Sequence, residues 1–231
     1  MSSFGSALHE FLPRLIEQAN FDISRSACVV VPSFENLIAA LIDAKAGNVQ
    51  VQPVLKVLSN LDANQPEPLA VLELSEFTEA WPARSKKQMA TLAVILKRFA
   101  ASVVAMGGVE RVQEMSAEAV KEAWIQISGL GLATVDQLLC VVGHPVLPID
   151  RATYRILVRH GWISEDAGYE EAQDVILSAA PEDQATLAVL GDAFSKIGKR
   201  WCKASLANCL GCPLAPWLPD GGKPYGNSLD D

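Results

Sequence analysis

The residues best suited to chemistry are a pair of glycines, one aspartate and a late group of cysteines. In Ile127-Ser128-Gly129-Leu130-Gly131-Leu132-Ala133-Thr134, two glycines flank a leucine between two helical patterns. Glycine tolerates backbone angles that other residues resist, and lets another molecule approach the main chain closely. A helix starting after such a turn aims free N–H groups outward. Gly129, Leu130 and Gly131 could therefore hold a phosphate without side-chain charge. An ordinary helix–helix turn has the same composition. Asp150 lies nineteen residues after Gly131, in Leu147-Pro148-Ile149-Asp150-Arg151. Aspartate there caps a helix well, and capping is compatible with a chemical role. Cys202, Cys209 and Cys212 crowd together near the end of the chain. In a reducing compartment that spacing suggests a metal or cluster before it suggests disulfides.

The elements that must position these groups read as helix after helix, without a persistent strand pattern or an internal repeat. Residues 5–20 form a helix containing Pro13. Ser33 caps a helix from Phe34 to Lys45, whose stripe is Leu37, Ile38, Leu41 and Ile42. Further helices are expected over Val49–Leu61, over Glu76–Trp81 with Ser75 as cap, and over residues 84–105. Ser116 caps a helix to Ile127, and a short apolar helix resumes after Gly131 as far as Val142. Residues 151–160, Tyr169–Ala179 and Asp183–Arg200 complete the set, and the Gly- and Pro-rich tail from Pro219 is expected to be mobile. Apolar stretches such as Leu37 to Ile42 are too short to span a bilayer. Met1-Ser2-Ser3-Phe4 lacks the basic region of a signal peptide, so the expected location is the cytoplasm.

The 231 residues are 50% hydrophobic and carry a net charge of −8, which argues against both disorder and a phosphate-rich partner. The distribution qualifies the total. Three acid-free windows, 84–98, 151–160 and 196–203, carry 12 of the 19 lysines and arginines. Separately they are three solvated helix faces; brought together they would form a basic surface.

The order of hairpin, apolar helix, Ile149-Asp150 and a further helix resembles the helix-hairpin-helix (HhH-GPD) DNA glycosylases of the endonuclease III type. Pro32 to Ala46 resembles that family's opening barrel helix, and residues 84–98 its basic central helix. Cys202, Cys209 and Cys212 match the start of its iron–sulfur loop. The resemblance spans roughly residues 28–218. It implies an all-α, two-lobed fold: a six-helix barrel over 27–144, and a second lobe from 1–26 with 145–218, carrying the cysteine loop. It also implies a double-stranded DNA partner, a monomer, and a target base flipped out of the stack, since a stacked base is hard to reach. Asp150 would then stabilise an oxocarbenium-like transition state and orient water. Lys45, Lys86, Lys87, Arg151 and Lys199 become candidate DNA contacts.

The departures from the family are specific. Its bifunctional members carry a lysine two positions after the second glycine, where this chain has Ala133. Lyase action by that route is therefore not expected, which favours a monofunctional glycosylase. Lys45 stands where the family has a gap-filling glutamine. Leu218 stands at the fourth cluster position, leaving open a [4Fe–4S] cluster completed by another ligand, a zinc site, or a loop kept by packing. Residues 135–161 look similar to the branch that removes alkylated purines, for which Trp81, Trp124, Trp162 and Tyr154 are candidate pocket aromatics. Mismatched or deaminated pyrimidines are the competing substrates. Cys28 and Cys140 read as buried small residues, and His9, His144 and His160 show no ligand spacing. The rival reading is a catalytically inactive DNA-binding or lesion-sensing protein.

Overall fold

The computed structural model describes residues 4–18, 31–82, 85–180 and 184–219. In chain order its helices are α1 (Phe4–Gln18), α2 (Phe34–Ala46), α3 (Val51–Asn60), α4 (Pro66–Val71), α5 (Leu74–Glu79), α6 (Lys86–Ala105), α7 (Val109–Glu114), α8 (Ala117–Ile125), α9 (Leu132–Val141), α10 (Arg151–Arg159), α11 (Tyr169–Leu177) and α12 (Gln184–Arg200). Among the described residues there is no strand, only an isolated bridge between Cys202 and Ala207. This is the expected all-α fold. The chain divides into two compact units, Ala27–Val146 and Met1–Ser26 with Leu147–Asp231.

In the first unit, Ser33 caps α2 by accepting the N–H of Asn36 at 3.2 Å. Leu37, Ile38, Leu41 and Ile42 are buried as one stripe, worth at most roughly 8 kcal/mol of gross apolar transfer. Helix α6 runs through the unit's centre, packed by α2, α4, α5 and α8. It is long and apolar enough to cross a membrane by composition alone. Its apolar side chains Leu92, Leu96, Phe99 and Val103 are instead buried in the core, with Phe99 5.1 Å from Trp124. Asp136 of α9 is fully buried and pairs with Lys121 of α8 at 3.3 Å, tying the two helices of the hairpin together. Two short helices, α4 and α7, lacked a sequence signal. Ser75 lies inside α5, which starts at Leu74 without a side-chain cap. The reason is local: the Ser75 carbonyl accepts the Thr78 hydroxyl at 3.0 Å, as a residue inside a turn does.

The second unit is built around aromatic side chains. Phe4 and Phe11 of α1 meet Trp162, Phe194 and Trp217, with ring centroids 5.0–6.5 Å apart. Helices α10 and α12 cross where Gly198 meets Ala152, so closely that a Cβ at Gly198 would overlap the alanine methyl. Cys28, Arg84 and the tail after Pro219 lie outside the described residues.

Candidate functional site

The hairpin forms as its sequence implies. Helix α8 ends, Leu130 turns into the core at 8% exposure, and its N–H bonds the Ile127 carbonyl at 2.9 Å. The two glycines have different physical reasons. Gly129 has φ +102°, and a Cβ there would lie 2.8 Å from the Ile95 side chain. The fold itself therefore demands glycine at 129. Gly131, at φ −108°, caps α9 through its carbonyl, which accepts the N–H groups of Thr134 and Val135. Nothing lies within 4 Å of a Cβ built there. The fold does not need that glycine, but a molecule approaching the first N–H groups of α9 would.

Lys45, in the last turn of α2, reaches this helix. Its Nζ donates to Thr134 Oγ1 at 3.0 Å, one residue beyond Ala133. Burial lowers the affinity of this amine for its proton below that of an ordinary lysine. A groove of about 520 Å³ opens beside it, lined by Lys45, Lys87, Gln88, Thr91 and Ile95 among others. Lys86 and Lys87 are exposed at the start of α6. Lys97 is not available as a contact: its Nζ donates to the Leu72 carbonyl at 2.8 Å.

In the second unit, Asp150 caps α10. Its Oδ1 accepts the N–H of Thr153 at 2.6 Å, and the residue is exposed. The other carboxylate oxygen accepts no hydrogen bond from the described residues. The preceding segment is fixed twice: Gln173 Nε2 donates to the Leu147 carbonyl at 2.8 Å, and the Ile149 N–H donates to the Tyr169 hydroxyl at 3.1 Å. Asp150, Ile149, Arg151, Tyr154 and Tyr169 line a recess of about 280 Å³. Tyr169 and Gln173 carried no sequence signal, since each acts by reaching across from another element. Trp124 is buried in the first core, Trp162 stacks on Phe11 at 6.0 Å, and Trp81 packs on Phe77 at 6.1 Å. Tyr154 does line the recess, while its hydroxyl donates to the Glu165 and Ala167 carbonyls.

The crossing of α10 and α12 joins two of the basic windows, and exposed Arg151 and Lys199 flank it. Arg155 and Arg159 do not belong to that surface. Arg155 donates through Nε and Nη2 to the Cys202 carbonyl. Arg159, buried, donates to the Lys203 carbonyl at 2.7 Å, the Ala204 carbonyl at 3.0 Å and Cys202 Sγ at 3.2 Å. Both arginines hold the cysteine loop.

Cys202, Cys209 and Cys212 share a cavity of about 20 Å³ with Leu218, Arg159 and His160. That is room for one water. Burial and the neighbouring Cys202 raise the Cys209 thiol above its usual range, against the pull of Arg159; burial raises Cys212. Among the described residues no three His, Cys, Asp or Glu side chains converge to hold a metal. With hydrocarbon at 218, the three cysteines fall one thiolate short of a four-thiolate [4Fe–4S] cluster. His160 is a core residue, stacked on Trp162 at 4.5 Å, and Cys140 is buried with its Sγ 3.0 Å from the Val146 carbonyl.

No family model matches the chain. It is 30% identical over 175 residues to the transcriptional activator DEMETER of Arabidopsis thaliana, covering 68% of this chain and 9% of that protein. It is 29% identical over 121 residues to the DNA glycosylase/AP lyase ROS1 of the same organism, covering 46% of this chain and 9% of the relative. The chain thus spans less than a tenth of these relatives. In structure it is similar to endonuclease III in a trapped covalent complex with DNA, with a TM-score of 0.69, 17% identity, and coverage of 95% of this chain and 98% of that one.

Proposed function

We propose, from its endonuclease III-like fold and its sequence kinship, that the chain is a helix-hairpin-helix DNA N-glycosylase of base excision repair. It acts on double-stranded DNA and hydrolyses the glycosidic bond of a flipped damaged or mismatched base.

The observation that carries this reading is Asp150. One carboxylate oxygen is pinned at the start of α10, so the group is oriented. The residue remains exposed beside an aromatic-walled recess. A carboxylate so held stabilises the positive charge that develops on the sugar as the base departs, and it accepts a proton from the attacking water. Holding the carboxylate before the reaction removes its reorganisation from the barrier. The open main chain at Gly131 and the exposed Lys86, Lys87, Arg151 and Lys199 are its candidate phosphate contacts. Ala133 leaves the hairpin helix without an amine, so base release is hydrolytic and has no imine step at that position.

The test is a strand-nick assay on duplexes carrying alkylated purines, uracil or thymine opposite guanine, oxidised pyrimidines, or adenine opposite oxidised guanine. Nicks that require hot alkali, and vanish in Asp150→Asn, support the reading. Salt-sensitive binding to the same duplexes without base release would replace it with the lesion-sensing reading.

A further inference from the structure

The amine missing from position 133 has a neighbour that comes from elsewhere in the chain. Helix α2 delivers Lys45 to the first turn of the hairpin's second helix, with Nζ 3.0 Å from Thr134 Oγ1. Its setting has three features. It is half-buried, whereas Lys86 and Lys87 are exposed. Its hydrogen-bond partner is a neutral hydroxyl rather than a carboxylate. It lines a groove large enough for a sugar, and Ile95, which closes that groove, is the residue packed against Gly129 at the hairpin turn. A lysine that only touched phosphate would have no need of burial or of a hydroxyl acceptor. Burial also enlarges the neutral, nucleophilic fraction of this amine.

We propose that Lys45 is a nucleophile toward the C1′ carbon of an abasic deoxyribose, supplying from α2 the amine that the hairpin helix lacks. The inference rests on the glycosylase reading for its substrate. Base release stays hydrolytic, and Lys45 acts on the product. The nitrogen lone pair adds to C1′ of the ring-opened aldehyde. With one proton from the nitrogen and one from solvent, the C1′ oxygen leaves as water, giving an iminium. Loss of a C2′ proton to solvent then breaks the C3′–O bond, and the 3′ phosphate departs with the bonding electrons. Water hydrolyses the conjugated imine, returning the Lys45 amine and releasing an unsaturated aldehyde. Thr134 holds one amine hydrogen and so fixes the direction of the lone pair.

The experiment uses the full chain and a duplex with a preformed abasic site, so it does not depend on base release. Sodium borohydride reduces any iminium to a stable amine. The expected result is a covalent protein–DNA band whose linkage maps by mass spectrometry to Lys45. That band should fall at least tenfold in Lys45→Arg, which keeps the charge but loses the nucleophile. No adduct in the natural sequence, an undiminished adduct in Lys45→Arg, or linkage to another residue would each overturn the proposal. Mapping on the unsubstituted protein keeps the test valid if the variant folds poorly. Base release without an adduct defeats this inference alone; an adduct without base release defeats the glycosylase reading alone.

Discussion

The hydroxyl of Tyr169 accepts the N–H of Ile149 at 3.1 Å, one residue before the carboxylate Asp150. This bond crosses from α11 to the segment that leads into α10. It fixes the backbone at the point where the carboxylate must be aimed. Tyr169→Phe removes the acceptor and leaves the ring. Stability should fall by about 1 kcal/mol. Single-turnover base release should slow about fivefold to tenfold while DNA affinity holds, because aim is lost and not contact. Equal losses in affinity and rate would mean that Tyr169 touches the substrate itself.

Asp150 has two roles that one pair of substitutions separates. Asparagine caps a helix as well as aspartate does, so Asp150→Asn should keep its melting temperature while base release falls by about two orders of magnitude or more. Asp150→Ala should lose the reaction and about 1 kcal/mol of stability as well. Thermal melts beside the alkali-dependent nick assay measure both.

The hairpin glycines should respond in opposite ways. Gly129→Ala meets Ile95 and a left-handed backbone, and should cost about 2 kcal/mol or more. Gly131→Ala meets nothing in the fold, so urea unfolding should show stability unchanged or slightly raised. If DNA phosphate approaches that main chain, affinity for duplex should nonetheless drop about tenfold. Equal binding by the natural sequence and Gly131→Ala would remove the hairpin from the interface.

His160 predicts a pH dependence. Burial holds its pKa below the ordinary histidine value, partly offset by the bond to the Trp217 carbonyl, 3.1 Å from Nδ1. The carbonyl can only accept, so Nδ1 carries the proton in the neutral ring. A lowered pKa in the folded state means that the unfolded chain binds the proton first. The contribution is present above about pH 6.5 and is lost as pH falls from there through the folded value. Urea midpoints should therefore decline below about pH 6.5, and the decline should be shallower in His160→Phe.

Sequence exposed most of what was local, the Ser75 cap excepted. The Ser33 and Ser116 caps, the α2 stripe and the Asp150 cap each depend on residues within one or two turns. Short helices such as α4 and α7 are too brief to show a period. The basic windows illustrate the opposite limit. Arg155 and Arg159 count as charge in the sequence, yet they are used up on carbonyls 44 to 47 residues away. Lys45 and Thr134 lie 89 residues apart, and their meeting depends on how α2 packs against α9. Tyr169 was invisible for the same reason.

The arginine grip on the cysteine loop has a consequence for how this chain can change over time. Arg155 and Arg159, one helical turn apart, bind the carbonyls of Cys202, Lys203 and Ala204, which every amino acid possesses. A loop anchored by its main chain stays in place whatever side chains it displays. Cysteines 209 and 212 and the residue at 218 can then be exchanged one at a time without touching these bonds, whereas exchange of either arginine removes two main-chain anchors at once.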